Sequence, residues 1–273
     1  MADIDPDAID PEALARPLAE ATPAGAWLRY DPVFDAIKTA RTADAEYLPK
    51  GIWQREVKRA DWPTAGAYAL DALNHRTKDL QFAAWLAEAL THLHGLRGLA
   101  AGFRVLERLS RNLWESVYPQ FDDEDGDEPR LLVMEWLDRV LPEGVDMVQM
   151  TAPDTRLVEP FTLRGIRDLE RREREEAGQS ASQRRARRDN TEPEPGPARD
   201  DLVTSAQLTR TAHFDRLAAE LDQVRADLGA LRGAYDELSG PGAARFPKTD
   251  EALRRVDKHL AEARAYHAEA EAG

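Results

Sequence analysis

At 273 residues with a formal charge of −14, the chain is long enough for one large domain or two small ones. Its acidity argues against a nucleic-acid or anionic-membrane surface, which needs a net basic face, and the absence of cysteine excludes disulfides, thiolate metal ligands and cysteine nucleophiles. Abundant Ala, Leu, Glu and Arg with few β-branched runs predict an all-α fold.

The acidic start MADIDPDAIDPEAL has no basic-then-apolar signal segment, and no window approaches the roughly 20 apolar residues of a membrane span. The expected location is therefore the cytoplasm, without membrane insertion. Asp5-Pro6, Asp10-Pro11 and Thr22-Pro23 predict turns and extended backbone over residues 1 to about 26, a lead-in along the surface. Asp31-Pro32 starts a helix that continues to about Ala45, and Asp61-Trp62-Pro63 starts another in the same way. Between them lies the loop around Tyr47 to Gly51.

Residues 79–94 predict the helix around which the rest is built. Leu80, Ala83, Ala87 and Leu90 recur at helical spacing, and Phe82, Trp85, Leu86, Ala89 and Leu93 fill much of the remaining circumference. A helix apolar nearly all round must be central. Asp79 is its N-cap and Gly95 its left-handed stop. Leu99, Phe103, Leu106, Leu109, Leu113, Trp114 and Val117 then form one stripe of a helix over 96–118, stopped by Pro119. After an acidic loop, 122–128, a helix over 130–141 is expected to end at Pro142. Residues 145–161 lack a period, and a further helix runs from Thr162 to about Gly178.

Residues 179–201 combine Arg184, Arg185, Arg187 and Arg188 with Glu-Pro-Glu-Pro-Gly-Pro and almost no apolar side chain, the composition of a flexible linker. The expected organisation is an N-terminal multi-helix domain over 1–178, this linker, and a helical hairpin over 202–273 turning at Gly240-Pro241-Gly242. Phe214, Leu217, Leu221, Val224, Leu228 and Leu231 lie on one stripe of the hairpin, candidates for self-association, because an apolar face needs a partner: the first domain or a second copy.

Few constellations carry chemistry. Glu88 and His92 share a helix face, but His92 and His94 are two residues apart and point to different faces, unlike a zinc pair spaced by four. In the acidic loop Phe121 stands where a calcium loop needs an acidic or amide ligand. No nucleophile elbow or phosphate-cradling glycine loop occurs. The expectation is no catalytic residue, no metal site and no cofactor. The Arg cluster of the linker lacks the interleaved aromatics of a nucleic-acid surface. Trp53 and Trp62, with Arg55, Lys58 and Arg59 between them, form instead a candidate partner-binding patch of aromatic and basic side chains.

The segments LRYDPVFDAIKTAR (28–41), LPKGIWQREVKRADWP (48–63), TKDLQFAAWLAEALTHLHGLRGLAAGFRVLERLSRNLWESVYP (77–119), DEDGDEPRLLVMEWLDRVLP (123–142) and PFTLRGIRDLE (160–170) together resemble the ImpA N-terminal family, the TssA-type proteins of the bacterial type VI secretion system. The resemblance implies a non-enzymatic, all-helical component that contacts the baseplate, membrane complex, inner tube or sheath during tail assembly. Such proteins commonly form rings through a separate C-terminal domain; nothing obvious in this chain corresponds to it, as expected of a short or accessory member or of a fragment. The alternatives are a homo-oligomeric helical adaptor of another cytoplasmic system, assembled through the hairpin, and a metal-dependent hydrolase using Glu88, His92 and the acidic loop.

Overall fold

The computed structural model describes residues 4–43, 59–121, 124, 126–178 and 196–272. Among these residues the fold is all-α, as expected, with isolated bridges and no named strand. By contact the chain divides into two compact units, one of residues 1–144 with 222–250 and the other of 145–221 with 251–273.

In the first unit, aspartate followed by proline opens one helical turn after another. Asp5 caps a 3-10 turn, Pro6–Ala8, and Asp10 caps α1, Pro11–Leu14. Turns are expected at these dipeptides; they are helical ones because the aspartate carboxylate takes the free first-turn N–H groups and proline is preset for the helix. Asp31 caps α2, Pro32–Arg41, and Asp61 caps α3, Trp62–His75. Lys78, fully buried after α3, donates from Nζ to the carbonyls of Leu14 at 2.6 Å and Leu73 at 2.7 Å, tying α1 to the end of α3. Burial lowers the pKa of its ammonium.

Asp79 caps α4, Leu80–Leu113, which breaks at Gly95 with φ 59° and ψ −132°. Two limbs result, 80–94 and 96–113, and the second doubles back on the first. A Cβ on Gly98 would lie 1.9 Å from the Leu90 carbonyl oxygen, and one on Gly102 would lie 2.5 Å from the Ala87 Cβ. Leu80 and residues 82–91 are all buried, as the apolar circumference requires. Phe34 of α2 meets Trp85 edge to face with centroids 4.6 Å apart.

Helix α5, Glu128–Val145, runs through Pro142 to Val145. The expected stop at Pro142 fails because a proline in the last turn removes one bond and leaves little helix to disrupt. Its first turn holds Arg130, fully buried, whose guanidinium donates to the carbonyls of Trp114 (2.5 Å), Val117 (3.0 Å) and Pro119 (2.8 Å). Carbonyls left unpaired where α4 ends are thus satisfied by a charge. The remaining helices are α6, Leu163–Gly178; α7, Arg199–Gln207; α8, Thr211–Ser239; and α9, Pro247–Ala272. Of the expected linker, 179–195 lie outside the described residues, and α7 occupies its last three positions. Residues 222–250 complete the first unit: Tyr235 packs against Trp114, Phe246 against Phe103, and Asp138 accepts from the Thr249 N–H at 2.8 Å at the start of α9.

In the second unit, residues 149–162 are irregular, as expected, and are closed by a bridge between Gln149 and Thr162. The buried Thr151 hydroxyl lies 2.8 Å from Ser205 and accepts from the Phe161 N–H, and Ser205 donates to the Glu159 carbonyl. Hydroxyls thus supply the partners that a helix or sheet would otherwise provide.

Candidate partner-binding surface

Trp62 is the described aromatic of the expected patch. As the first residue of α3 it is half-buried, and its indole stacks on the His92 imidazole with centroids 3.9 Å apart and planes 7° apart. Arg59 is exposed just before it. Trp53, Arg55 and Lys58 lie outside the described residues. The Asp61 N–H donates to the Ala40 carbonyl at 2.7 Å, which holds the start of α3 beside the end of α2.

Beside that junction, the last residue of α2 joins the central helix. Arg41 grips Glu88 with two hydrogen bonds, Nη2 to Oε1 at 2.8 Å and Nε to Oε2. Its guanidinium lies 4.8 Å from the Trp136 ring centroid and 5.9 Å from that of Trp85, within reach of both π-faces. Glu88 is buried, and burial pushes its carboxyl pKa up, against the opposing effect of Arg41 and with a smaller upward contribution from Glu143. Gly144 lets the end of α5 approach: a Cβ there would come 2.8 Å from Thr91 and 3.4 Å from His92.

Arg41, Trp62, His92 and Trp136 therefore make a half-exposed layer of flat and cationic groups where α2 ends and α3 begins. The two groups that a hydrolytic reading would use are engaged in packing, Glu88 by a bidentate guanidinium and His92 by an indole face. Rigid aromatics with an oriented guanidinium are the side chains in which binding energy concentrates.

The other sequence candidates are placed differently. Phe214, Leu217, Leu221, Val224, Leu228 and Leu231 are all buried within the single chain, at 4% exposure or less. In the acidic loop, Asp122, Asp123 and Asp125 lie outside the described residues, and Asp127 accepts from the Ser239 hydroxyl. Sequence reading missed Trp27 and Tyr30, which are 53% and 89% exposed and meet edge to face at 5.8 Å. They fall in a stretch with no helical period, where nothing distinguishes an exposed aromatic from a packed one.

Residues 15–139 match the family model described as ImpA, N-terminal, type VI secretion system. Over 128 residues the chain is 29% identical to the type VI secretion system component TssA1 of Pseudomonas aeruginosa, an alignment covering 44% of this chain and 35% of that protein. The chain thus spans about a third of that relative's length. Its fold is also similar to the N-terminal domain, including the conserved ImpA_N region, of the TssA component from Burkholderia cenocepacia. That likeness has a TM-score of 0.76 and 26% identity, over 96% of this chain and 94% of the other.

Proposed function

We propose that the chain, whose residues 15–139 match the ImpA N-terminal family of type VI secretion, is a non-enzymatic adaptor of that system in the cytoplasm. Its role is to recruit a baseplate, tube, sheath or membrane-complex protein during tail assembly. The recruiting surface is the patch of Trp53, Arg55, Lys58, Arg59 and Trp62, together with Arg41, His92 and Trp136. The observation that carries this reading is the parallel stack of Trp62 on His92 beside the Arg41 and Trp136 pair. A surface held in one geometry before binding loses less side-chain freedom when a partner arrives. Among the described residues no helix is long and apolar enough to cross a membrane.

The test is a cross-linked pull-down from secreting cells with the full chain, compared with Trp62→Ala, Arg59→Ala and Trp53→Ala. Recovery of a secretion component is expected to fall at least tenfold for the tryptophan variants, with melting temperatures close to that of the parent. Undiminished recovery by Trp53→Ala and Trp62→Ala together would remove the patch from the proposal.

A further inference from the structure

The second unit contains a group of ligating side chains that no secretion role uses. Glu170 of α6 faces His259 and Glu262 of α9, and one ligand atom from each lies within 4.8 Å of the other two. His259 is only 2% exposed, with a carboxylate near each ring nitrogen. Its Nδ1 lies 2.9 Å from Glu262 Oε2, and its Nε2 lies 4.0 Å from Glu170 Oε1. A cation already occupies the mouth of the group: Lys258 Nζ lies 3.1 Å from Glu170 Oε1 and 3.6 Å from Glu262 Oε1. Its side chain is 56% exposed, so the ammonium can leave for water without opening the core.

We propose that Glu170, His259 and Glu262 form a site for a divalent transition-metal ion of the zinc type, with Lys258 as its resident competitor. One imidazole and two carboxylates make a three-ligand set that leaves a coordination position for water. The imidazole favours zinc-like ions over magnesium or calcium, whose preference is for oxygen alone. Ligand atoms around zinc lie about 3–3.5 Å apart, given bonds of about 2.0–2.2 Å. Closing the present spacing to that requires rotation of the two glutamates, which keep partial exposure, about the buried histidine. Residues 259 and 262 are three apart and so share a helix face, and the third ligand crosses from a helix 89 positions earlier. This inference rests on the second unit alone and is independent of the adaptor reading.

Zinc chloride is titrated into the full chain by calorimetry, with bound zinc counted by elemental analysis after desalting. Lys258→Met is expected to bind one zinc per chain at least tenfold more tightly than the parent. Adding Glu170→Gln or Glu262→Gln to it is expected to reduce that affinity at least tenfold, and His259→Gln to abolish it. Should His259→Gln fail to fold, as a metal-free melt would reveal, the two glutamate variants decide. A Lys258→Met chain that binds no more tightly than the parent overturns the site. So does binding that survives the glutamate substitutions, which would assign the zinc to surface groups elsewhere.

Discussion

At the scale of single residues, burial changes the role of charges that the sequence presents as ordinary. Asp79 reads as an N-cap and is one, with its carboxylate accepting from the Gln81 N–H at 2.8 Å. It is also almost wholly enclosed, and desolvation raises its pKa from 3.8 to about 6 against the opposing Gln81 bond and the Arg29 charge. A carboxyl whose folded pKa lies above its unfolded value binds more protons in the native state over the interval between them. Its favourable contribution is therefore complete below about pH 4 and lost as pH rises through about 6. The ionised form then costs the fold on the order of 2–3 kcal/mol at neutral pH. Asp79→Asn keeps an oxygen for the cap and removes the charge. Denaturant unfolding should show the variant more stable than the parent by about 1–3 kcal/mol at pH 7.5, with the gain vanishing at pH 4. A gain of equal size at both pH values would sink this account. Arg130 marks a limit of sequence reading: at the start of an amphipathic helix it looks like a solvated charge, and only the carbonyls of another helix end reveal it as a buried one.

At the scale of elements, helix positions were largely legible because apolar period and aspartate caps are local signals. Gly95 is the clearest case: its left-handed conformation separates the two limbs where the sequence places the break. The closeness of those limbs was not legible, since Gly98 and Gly102 sit among alanines and leucines without a distinguishing neighbour. Their role is spatial. A methyl on Gly98 meets a backbone oxygen, which cannot rotate away, so Gly98→Ala should destabilise by about 3 kcal/mol, the upper end of overpacking costs. Gly229 in α8 supplies the contrast, as an exposed helical glycine whose added Cβ would meet nothing within 4 Å. Gly229→Ala should stabilise by roughly 0.5–1 kcal/mol through the reduced freedom of the unfolded chain. Urea unfolding of the two variants measures both signs, and similar effects would show that the limb crossing is not close. The candidate surface was legible in the same partial way: Trp62 stands out by type and place, but its stacking on His92 joins residues 30 positions apart in sequence.

At the scale of the whole molecule, composition identifies the fold class, and the division of the chain depends on tertiary packing that composition does not encode. Read in order, residues 202–273 follow a charged, proline-rich stretch and suggest a separate hairpin. By contact, residues 222–250 belong with 1–144. The reasons are specific: Tyr235 covers Trp114, Phe246 covers Phe103, Glu237 pairs with Arg111, and Asp138 caps the start of α9. The stripe from Phe214 to Leu231 is accordingly buried inside one chain, and oligomer formation is not needed to cover it. A chain ending at Gln179 would expose the partners of these groups and leave the Asp138 carboxylate without the Thr249 N–H. Removing each large aromatic side chain from the core costs about 3–5 kcal/mol, comparable in sum to the whole stability of a domain. The 1–179 form should therefore lack the cooperative thermal transition of the full chain and bind a hydrophobic dye, as monitored by circular dichroism and fluorescence. Should it instead melt as sharply and at the same temperature, residues 222–250 would be an appendage to a core complete without them, and the second half of the chain would be free to act as an independent module.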